Sequence, residues 1–319
     1  MIAGAVLRCV GSLAAGEDDA ADQKCVECHV KQKPHVEERL LRESVHGKLE
    51  CSECHSGVAK YPHVKPAKPV KCQLCHEEAR ATFSKGIHAE LAKKGDPDLP
   101  KCVDCHGTHG IFKKTDMRST VNHFKVDETC LKCHASVDIT ERHARMPSAA
   151  VLGGFAESSH AKGTHEKGLL VAATCTDCHG HHEIRPKADP LSPVNRTNVP
   201  ETCKKCHWGI FNDFEKSVHG KLWQEAVAQA KTGTAASPAA PAGGHAGPVC
   251  STCHNPHNGK SPTGAAFRQQ SAHECGECHQ GKSATYRDTF HGKATSLGFM
   301  VAAKCSDCHT AHRNLPKAD

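Results

Sequence analysis

The residues most able to do chemistry in this chain are cysteines and histidines in one recurring pattern. Among 319 residues there are 21 cysteines and 27 histidines. Every cysteine except Cys9 falls in a C-x-x-C-H motif. This spacing is typical of covalent haem attachment, in which two thiols form thioethers with the haem vinyl groups. The adjacent histidine then binds the iron as its proximal ligand.

Ten motifs predict ten covalently attached haem c groups. The attachment cysteines are Cys25, Cys28, Cys51, Cys54, Cys72, Cys75, Cys102, Cys105, Cys130, Cys133, Cys175, Cys178, Cys203, Cys206, Cys250, Cys253, Cys275, Cys278, Cys305 and Cys308. The proximal histidines are His29, His55, His76, His106, His134, His179, His207, His254, His279 and His309.

Three other uses of paired cysteines explain the pattern less well. Structural zinc sites use C-x-x-C pairs but do not need a histidine directly after the second cysteine. Thioredoxin-like redox pairs also use this spacing, but ten in one chain would serve no purpose. Disulfides form in exported proteins, but they do not account for the histidines. Haem attachment is therefore the favoured interpretation.

The motifs form five dihaem repeats, at about 22–66, 67–120, 121–195, 196–262 and 263–319. Each repeat contains a first motif, a mid-repeat histidine, a second motif and an end-of-repeat histidine. The segment Ser-Val-His-Gly-Lys-Leu occurs at both Ser44 and Ser217. The stretch 171–189 recurs closely at 301–319.

The repeat register supplies one further histidine for each motif. The mid-repeat histidines are His46, His88, His160, His219 and His291, and the end-of-repeat histidines are His63, His109, His182, His257 and His312. These ten are the predicted distal iron ligands. The remaining histidines are interpreted as solvated side chains, with a haem-propionate contact or surface charge as the role of His123; they are His35, His123, His143, His165, His181, His245 and His273.

Spacing limits which iron each histidine serves. In the second, fourth and fifth repeats the proximal histidine precedes the mid-repeat histidine by twelve residues, as from His207 to His219. If that stretch were one helix, the two would lie about 18 Å apart along its axis. Two imidazoles on one iron need nitrogens only about 4 Å apart, given metal–imidazole bonds of about 2 Å. Each such stretch therefore serves two haems, and ligation links neighbouring haems. A large apolar residue five positions before the mid-repeat histidine is expected to pack on a haem or on another helix.

Composition predicts a haem-cored fold rather than a conventional globular core. Aromatic residues make up only 4% of the chain, and mean hydropathy is −0.53. A chain this polar buries too little apolar surface to offset its ordering entropy. We expect a mostly irregular fold with short α-helices and almost no β-sheet. Residues 17–319 are predicted to form one elongated multihaem unit, with a flexible Ala/Gly/Pro-rich loop at about 231–248.

Charge and the N-terminus bear on location. The formal charge of +6 would suggest nucleic acid or a membrane surface. However, ten haems carry two propionates each and shift the total charge by about −10 when oxidised, so no nucleic-acid partner is expected.

Residues 1–16 resemble the remnant of an export signal, with a disordered tail as the alternative. No other segment approaches the roughly 20 apolar residues of a membrane span, so an exported, periplasmic or extracellular protein is predicted.

From about residue 22 onward the chain resembles the bis-histidine multihaem c-type cytochromes of metal- and sulfate-respiring prokaryotes. The resemblance is carried by the C-x-x-C-H-x-x-H units and the S-x-H-G-K segments. It implies closely stacked haems, low reduction potentials and periplasmic or extracellular electron transfer. Relatives act as shuttles, as porin conduits or as conducting filaments, so redox proteins or further copies of the chain are the expected partners. Haem attachment close to both ends of the mature chain favours electron transfer from one molecule to another.

The competing function is an enzyme, similar to the multihaem nitrite, hydroxylamine or tetrathionate enzymes. Such enzymes need an iron with an open or labile position, which is often marked by a lysine in place of the motif histidine. No C-x-x-C-K occurs in this sequence, and the histidines suffice to close every iron. Electron transfer is therefore favoured over catalysis, and a structural or haem-storage role is a third alternative.

Overall fold

The computed structural model describes residues 25–31, 35–58, 63, 68–143, 146–232, 247–259 and 261–316. Within these ranges the chain consists of short helices and irregular connections, with no β-strand. The predicted fold class is confirmed. The predicted export signal and most of the predicted loop at 231–248 lie outside the described residues.

Two compact units make up the chain. The first comprises 1–77 and 101–122, and the second comprises 78–100 and 123–319. The predicted second repeat, at about 67–120, contributes residues to both units. The division into five repeats within one elongated unit stays a prediction.

The first unit has few helices. A helical turn covers residues 25–29. The helices that follow are Glu38–Glu43, Cys51–Cys54, the 3₁₀ turn Cys72–Leu74, and Cys102–His106.

The second unit holds the longer helices. Its elements are Glu77–Phe83 (from its second residue onward), Ile87–Lys93, Val126–His134, Val137–Arg142, Ala149–Gly153, the 3₁₀ turn Gly154–Glu157, Ser159–His165, Cys175–His179, Val199–Lys204, Trp208–Lys216, Val218–Thr232, Cys250–Cys253, Ala265–Cys278, Gln280–Asp288, Phe290–Ser296 and Cys305–His309.

Several motif helices begin at their first cysteine because the third motif residue caps them. In Cys175–His179 the carboxylate of Asp177 accepts a hydrogen bond from the backbone N–H of Thr174 at 2.7 Å. Asp307 accepts from the N–H of Lys304 in the same way, at 2.8 Å. A carboxylate in the first helical turn also interacts favourably with the helix dipole. The variable positions of C-x-x-C-H therefore start the helix that presents the histidine.

A break in the helix precedes the mid-repeat histidine, so the single helix considered from the spacing is not formed. Trp208–Lys216 ends at Ser217, which is extended at φ −74° and ψ 166°, and Val218–Thr232 then begins. The Ser217 hydroxyl accepts a hydrogen bond from the N–H of Gly220 at 3.0 Å, as an N-cap. Thr289 does the same for the N–H of Gly292 at 3.1 Å. The Ser or Thr two residues before the histidine is thus the residue that turns the chain.

The glycine after the histidine is explained by this turn. A Cβ on Gly220 would lie 2.0 Å from the carbonyl oxygen of Phe214, and a Cβ on Gly292 would lie 2.1 Å from that of Tyr286. In these two repeats the junction between the helices leaves no room for a Cβ, whereas the third repeat has Ala161 at the same position.

The main apolar cluster of the second unit joins the helices on either side of one such junction. It consists of Val199, Phe211, Phe214, Trp223 and Val249. The rings of Phe214 and Trp223 have their centres 6.0 Å apart. Phe214 is the large residue five positions before His219, so in this repeat its packing partner is another helix.

Candidate haem-binding site

Eight motif histidines lie ring to ring with a predicted distal histidine. In the first unit the pairs are His29–His63 at 5.9 Å, His55–His109 at 6.0 Å and His76–His46 at 5.8 Å between ring centres. In the second unit they are His134–His88 at 6.1 Å, His179–His257 at 6.0 Å, His207–His160 at 6.2 Å, His254–His312 at 5.9 Å and His279–His219 at 6.2 Å. Each pair joins one motif histidine to one histidine outside the motifs.

This separation fits two imidazoles on opposite sides of one iron. Metal–imidazole bonds of about 2 Å, with each ring centre about 1 Å behind its bonding nitrogen, put the ring centres about 6 Å apart. Direct stacking of the rings would not explain the pairs, because their interplanar angles range from 10° for His179–His257 to 74° for His46–His76. The donor set and its spacing therefore fit a haem iron.

Seven of the eight pairs follow a single register between repeats, and His29–His63 lies within the first repeat. Mid-repeat His46, His88, His160 and His219 each pair with the first motif of the next repeat. End-of-repeat His109, His257 and His312 each pair with the second motif of the preceding repeat. Within these pairs, the first and second, third and fourth, and fourth and fifth repeats exchange histidines in both directions, and one pair joins the second repeat to the third.

One backbone hydrogen bond recurs wherever two repeats exchange histidines. The residue before the mid-repeat histidine donates its N–H to the carbonyl two residues after the end-of-repeat histidine of the next repeat. The four bonds are Val45 to Ile111 at 2.8 Å, Ile87 to Ile184 at 2.7 Å, Ser159 to Gly259 at 3.1 Å and Val218 to Asn314 at 2.8 Å. This contact holds the two ligand-bearing segments side by side.

Burial keeps several of these imidazoles neutral, which is the form that binds metal. Burial, followed by the neighbouring His134, lowers the pKa of His88 to about 4. Burial, followed by His257 and His134, lowers the pKa of His179 to about 4. Burial also lowers the pKa of His160 and of His254.

The attachment cysteines of one repeat lie next to each other. In four repeats the first cysteines of the two motifs lie close enough for one thiol to affect the pKa of the other. These pairs are Cys72–Cys102, Cys130–Cys175, Cys203–Cys250 and Cys275–Cys305. Two haems tethered at these points would have neighbouring edges.

Successive repeats also approach each other through their cysteines. Burial, and then the charges of Glu274 and Cys278, raise the pKa of the Cys253 thiol. Burial, and then the charge of Cys203, raise that of Cys178. In the second unit, cysteines of consecutive repeats are therefore neighbours in space from the third repeat to the fifth.

The alternative uses of the cysteines find no support in the geometry. All twenty motif cysteines are described, and none of them forms a disulfide. Among the described residues, the one group of three ligand atoms within 4.8 Å of each other is Asp96, Asp98 and His143, which contains no cysteine. Arg142 already donates to Asp98 in that group, and together with His143 it lowers the Asp98 pKa to about 2.

Six of the seven histidines predicted not to be ligands are described, and none of these six lies against a motif histidine. Their contacts are His143 with Asp98 at 3.1 Å, His165 with Asp127 at 2.7 Å, His273 with Glu277 at 3.9 Å, His123 with the Leu169 carbonyl at 3.3 Å and His181 with the His182 ring at 5.0 Å. His35 is exposed, and His245 lies outside the described residues.

Four predicted ligands stand outside the eight pairs. His106 ends the helix Cys102–His106 in the first unit, and His182 follows the helix Cys175–His179 in the second. His309 ends the helix Cys305–His309, and among the described residues no histidine ring lies against it. His291 contacts the ring of its neighbour Phe290 at 6.1 Å.

Comparison with known proteins gives two similarities. The family model described as cytochrome c554 and c-prime matches residues 202–279. Multiheme cytochrome MtrA of Shewanella baltica (strain OS185) is 24% identical over 224 residues, or 66% of this chain. These similarities support a multihaem c-type cytochrome with covalently bound haem c. The chain covers about half the length of this curated relative, 52%. No solved structure matches the chain.

Both similarities are consistent with an electron-transfer protein, although multihaem cytochromes include oxidoreductases. In the described part of the chain, no helix has the length and apolar character to cross a bilayer.

Proposed function

We propose that this chain is a decahaem c-type cytochrome that carries electrons along closely spaced bis-histidine haems. The observation that carries the proposal is the set of eight histidine pairs with ring centres 5.8–6.2 Å apart. Each joins a C-x-x-C-H histidine to a repeat-equivalent histidine, as a six-coordinate haem requires.

The protein's own residues have simple roles in this function. The motif cysteines tether each haem, and the paired histidines hold its iron from both sides. When bound, the haems supply one-electron redox chemistry with potentials set by their axial ligands and burial. Neutral, buried imidazoles such as His88 and His179 are in the form needed for ligation.

The cysteine contacts support a continuous path for electrons. Within a repeat, pairs such as Cys203 and Cys250 bring two attachment points together. Between repeats, Cys253 and Cys278 do the same. Electrons would therefore pass from repeat to repeat without leaving the chain.

The cellular setting forms part of the proposal. Covalent haem attachment and the expected export signal indicate a periplasmic or extracellular protein. Its partners would be redox proteins or further copies of this chain, either in a conducting filament or with an outer-membrane porin conduit. The alternative, a multihaem oxidoreductase acting on nitrogen or sulfur oxyanions, is less well supported because most motif histidines already have a partner imidazole.

A test of ligation uses a matched pair of variants of the mature holoprotein. His219→Ala removes the partner of His279, so electron paramagnetic resonance of the oxidised protein should show one more high-spin haem than the wild type. His143→Ala changes a histidine that contacts Asp98 instead, and should add none. Equal high-spin signals in the two variants would refute the pairing.

A test of the function itself measures electron uptake and release. Intact mass should show ten haems, and a reductive titration followed by reoxidation with a ferric chelate should cycle all of them. A protein with fewer haems, or with haems that cannot be reoxidised in this way, would refute the decahaem carrier.

A further inference from the structure

The side chain of Asn314 contacts His219 where the fourth and fifth repeats exchange histidines. Val218, the residue before His219, donates its backbone N–H to the carbonyl oxygen of Asn314 at 2.8 Å. Burial, and then the neighbouring His279, lower the pKa of His219, whereas the polar side chain of Asn314 raises it. A contact that favours the protonated ring comes from a hydrogen-bond acceptor. The amide of Asn314 therefore faces His219 with its oxygen.

The amide nitrogen of Asn314 is engaged elsewhere, which fixes the orientation of the side chain. Nδ2 donates to the backbone carbonyl of His309 at 3.1 Å and to that of Thr310 at 2.8 Å. A flipped amide would place its oxygen against these two carbonyls, which only accept hydrogen bonds. Oδ1 is the atom left for His219, and it is buried. Among the described residues, no donor is aligned with it for a full hydrogen bond.

Iron ligation by His219 would supply that donor. The rings of His219 and His279 have their centres 6.2 Å apart, which fits two imidazoles on one iron. A neutral imidazole that binds a metal through one nitrogen carries its proton on the other. Metal-binding histidines generally donate that N–H to an acceptor, which fixes the orientation of the ring. Oδ1 of Asn314 is such an acceptor, and the donated N–H would satisfy it.

The equivalent positions of other repeats show that the backbone contact does not require an amide. Ile111, Ile184 and Gly259 stand two residues after the end-of-repeat histidine, where Asn314 stands in the fifth repeat. Their carbonyl oxygens accept the same backbone hydrogen bond, at 2.7–3.1 Å. Isoleucine and glycine offer no side-chain acceptor. The Asn314 amide therefore adds an interaction with the histidine that the junction itself does not need.

The nitrogen of the same amide has a separate, structural role. Thr310 has a φ of 61°, a left-handed conformation that non-glycine residues rarely adopt. Gly107 and Gly180 stand at the equivalent positions after the motif histidine, with φ of 78° and 76°. The hydrogen bonds from Asn314 to His309 and Thr310 thus hold a turn that is strained in the fifth repeat. Since the nitrogen serves the turn and the oxygen faces the ring, substitutions can separate the two roles.

We propose that Asn314 is a positioning residue, whose Oδ1 accepts the ring N–H of His219 and lowers the reduction potential of the haem iron between His219 and His279. An acceptor on that N–H makes the imidazole a stronger electron donor to the iron, which favours the ferric state. The inference rests on the proposed haem ligation and adds to it, because it assigns to one side chain an effect on the potential of one haem.

The ring N–H of His219 can be followed by nuclear magnetic resonance in the fully reduced holoprotein with isotope-labelled histidine, because ferrous bis-histidine haem is diamagnetic. The resonance that is missing from His219→Ala identifies it. Asn314→Ile copies the residue of the second and third repeats and removes the acceptor. In this variant the N–H should exchange with solvent about tenfold faster than in the wild type.

The reduction potential gives a second readout. A reductive titration of Asn314→Ile should move one tenth of the absorbance change to higher potential, while intact mass still shows ten haems. Asn314→Asp keeps an acceptor oxygen but loses the amide nitrogen that holds the turn. It should therefore keep the N–H protected and should move no part of the titration to higher potential.

A purely structural amide would give a different pattern. Asn314→Asp would then lose the protection of the N–H as Asn314→Ile does, and this result would overturn the proposal. The double variant Thr310→Gly/Asn314→Ile has the glycine and isoleucine of the second and third repeats, so its turn needs no amide. It should show the same two shifts as Asn314→Ile, and a return to wild-type values would overturn the proposal as well.

Failure of this proposal is distinguishable from failure of the proposed function. Unchanged exchange and an unchanged titration in Asn314→Ile, with ten low-spin haems, would overturn the role of Asn314 and leave the decahaem carrier intact. A wild-type protein in which Cys275 and Cys278 carry no haem would refute both.

Discussion

The fourth and fifth repeats form the same junction between two helices, but apolar side chains pack beside it in the fourth and polar side chains in the fifth. In the fourth repeat, Phe214 and Trp223 pack against each other and Val249 is buried beside them. The repeat register aligns Tyr286 with Phe214 and Thr295 with Trp223. The fifth repeat therefore replaces a packed aromatic pair with two polar side chains.

Hydrogen bonds substitute for apolar packing in the fifth repeat. The Tyr286 hydroxyl contacts the Thr295 hydroxyl at 3.0 Å and donates to the carbonyl of Ala303 at 2.9 Å. Lys304, which corresponds to Val249, is only 3% exposed. Its ammonium group donates to the carbonyls of Met300 and Ala302 at 2.8 and 2.9 Å.

The difference shows which features form the junction between the two helices and which side chains stabilise it. Both repeats keep the capping hydroxyl and the glycine, so the junction between their helices does not depend on the aromatic side chains. Burial of large aromatic side chains stabilises by about 1.5–3 kcal/mol each, whereas a net hydrogen bond contributes about 1 kcal/mol. We therefore expect the fourth repeat to be the more stable part of the polypeptide, and the fifth to depend more on its haems.

Removal of the haems should have the largest effect. Protein made without haem maturation should lack a cooperative thermal transition in far-UV circular dichroism, because few side chains form a core. Hydrogen exchange should retain protection only near 199–232. A cooperative melt, or protection in the fifth repeat equal to that in the fourth, would contradict the comparison.

Truncation of the aromatic core should come next. Trp223→Ala removes a buried ring and a hydrogen bond from its indole N–H to the Thr197 carbonyl at 2.9 Å, and should cost about 3–5 kcal/mol. Hydrogen exchange of the holoprotein measures this as increased opening of the fourth repeat. The matched variant Thr295→Ala should cost only about 1 kcal/mol in the fifth. Equal costs would remove the distinction between the two cores.

Substitutions of the buried Lys304 test whether the polar core of the fifth repeat is less stabilising than the apolar core of the fourth. Lys304→Ala leaves two carbonyls without their donor and should destabilise the fifth repeat by about 1–3 kcal/mol. Lys304→Met keeps the length of the side chain and removes the buried charge, so it should cost less than alanine. Local exchange at 298–309 reports both variants, and a larger loss for methionine would show that the ammonium contributes more than its packing.

The caps should give the smallest differences. Ser217→Ala removes a fully buried hydroxyl that caps Val218–Thr232 and should cost about 1 kcal/mol. Thr289→Ala removes the equivalent but exposed cap and should cost less, because water can replace it. Exchange rates at Gly220 and Gly292 measure the two effects. The same cost at both positions would mean that burial of the cap contributes little.

The sequence predicted the parts of this site that depend on residue type and repeat. The ten motifs follow from spacing, and the helical and irregular fold follows from the polar composition. The choice of iron ligands stays a prediction. Pairing could not be predicted, because nothing local to His46 indicates that His76 is its partner rather than His55. Pairing depends on tertiary contacts such as the bond from Val45 to Ile111.

The helix break before the mid-repeat histidine was missed, although the sequence contained a signal for it. Ser, Thr and Gly recur two positions before the histidine, and Ser and Thr are favoured N-cap residues. Their recurrence marks them as part of the repeat, and their preference for the N-cap position marks the start of a new helix. The polar core around Lys304 had no such signal, because a lysine before a motif is ordinarily exposed.

The exchange of histidines between repeats has a consequence for how the protein matures. If the proposed haems are attached while the chain is exported from its N-terminus, His46 would be in place before its partner His76 is reached. The partner of His55, His109, would follow 54 residues later. Maturation along such a chain would lag export by one repeat, because second-motif histidines such as His55 would gain their partner imidazole only after the following repeat had been exported.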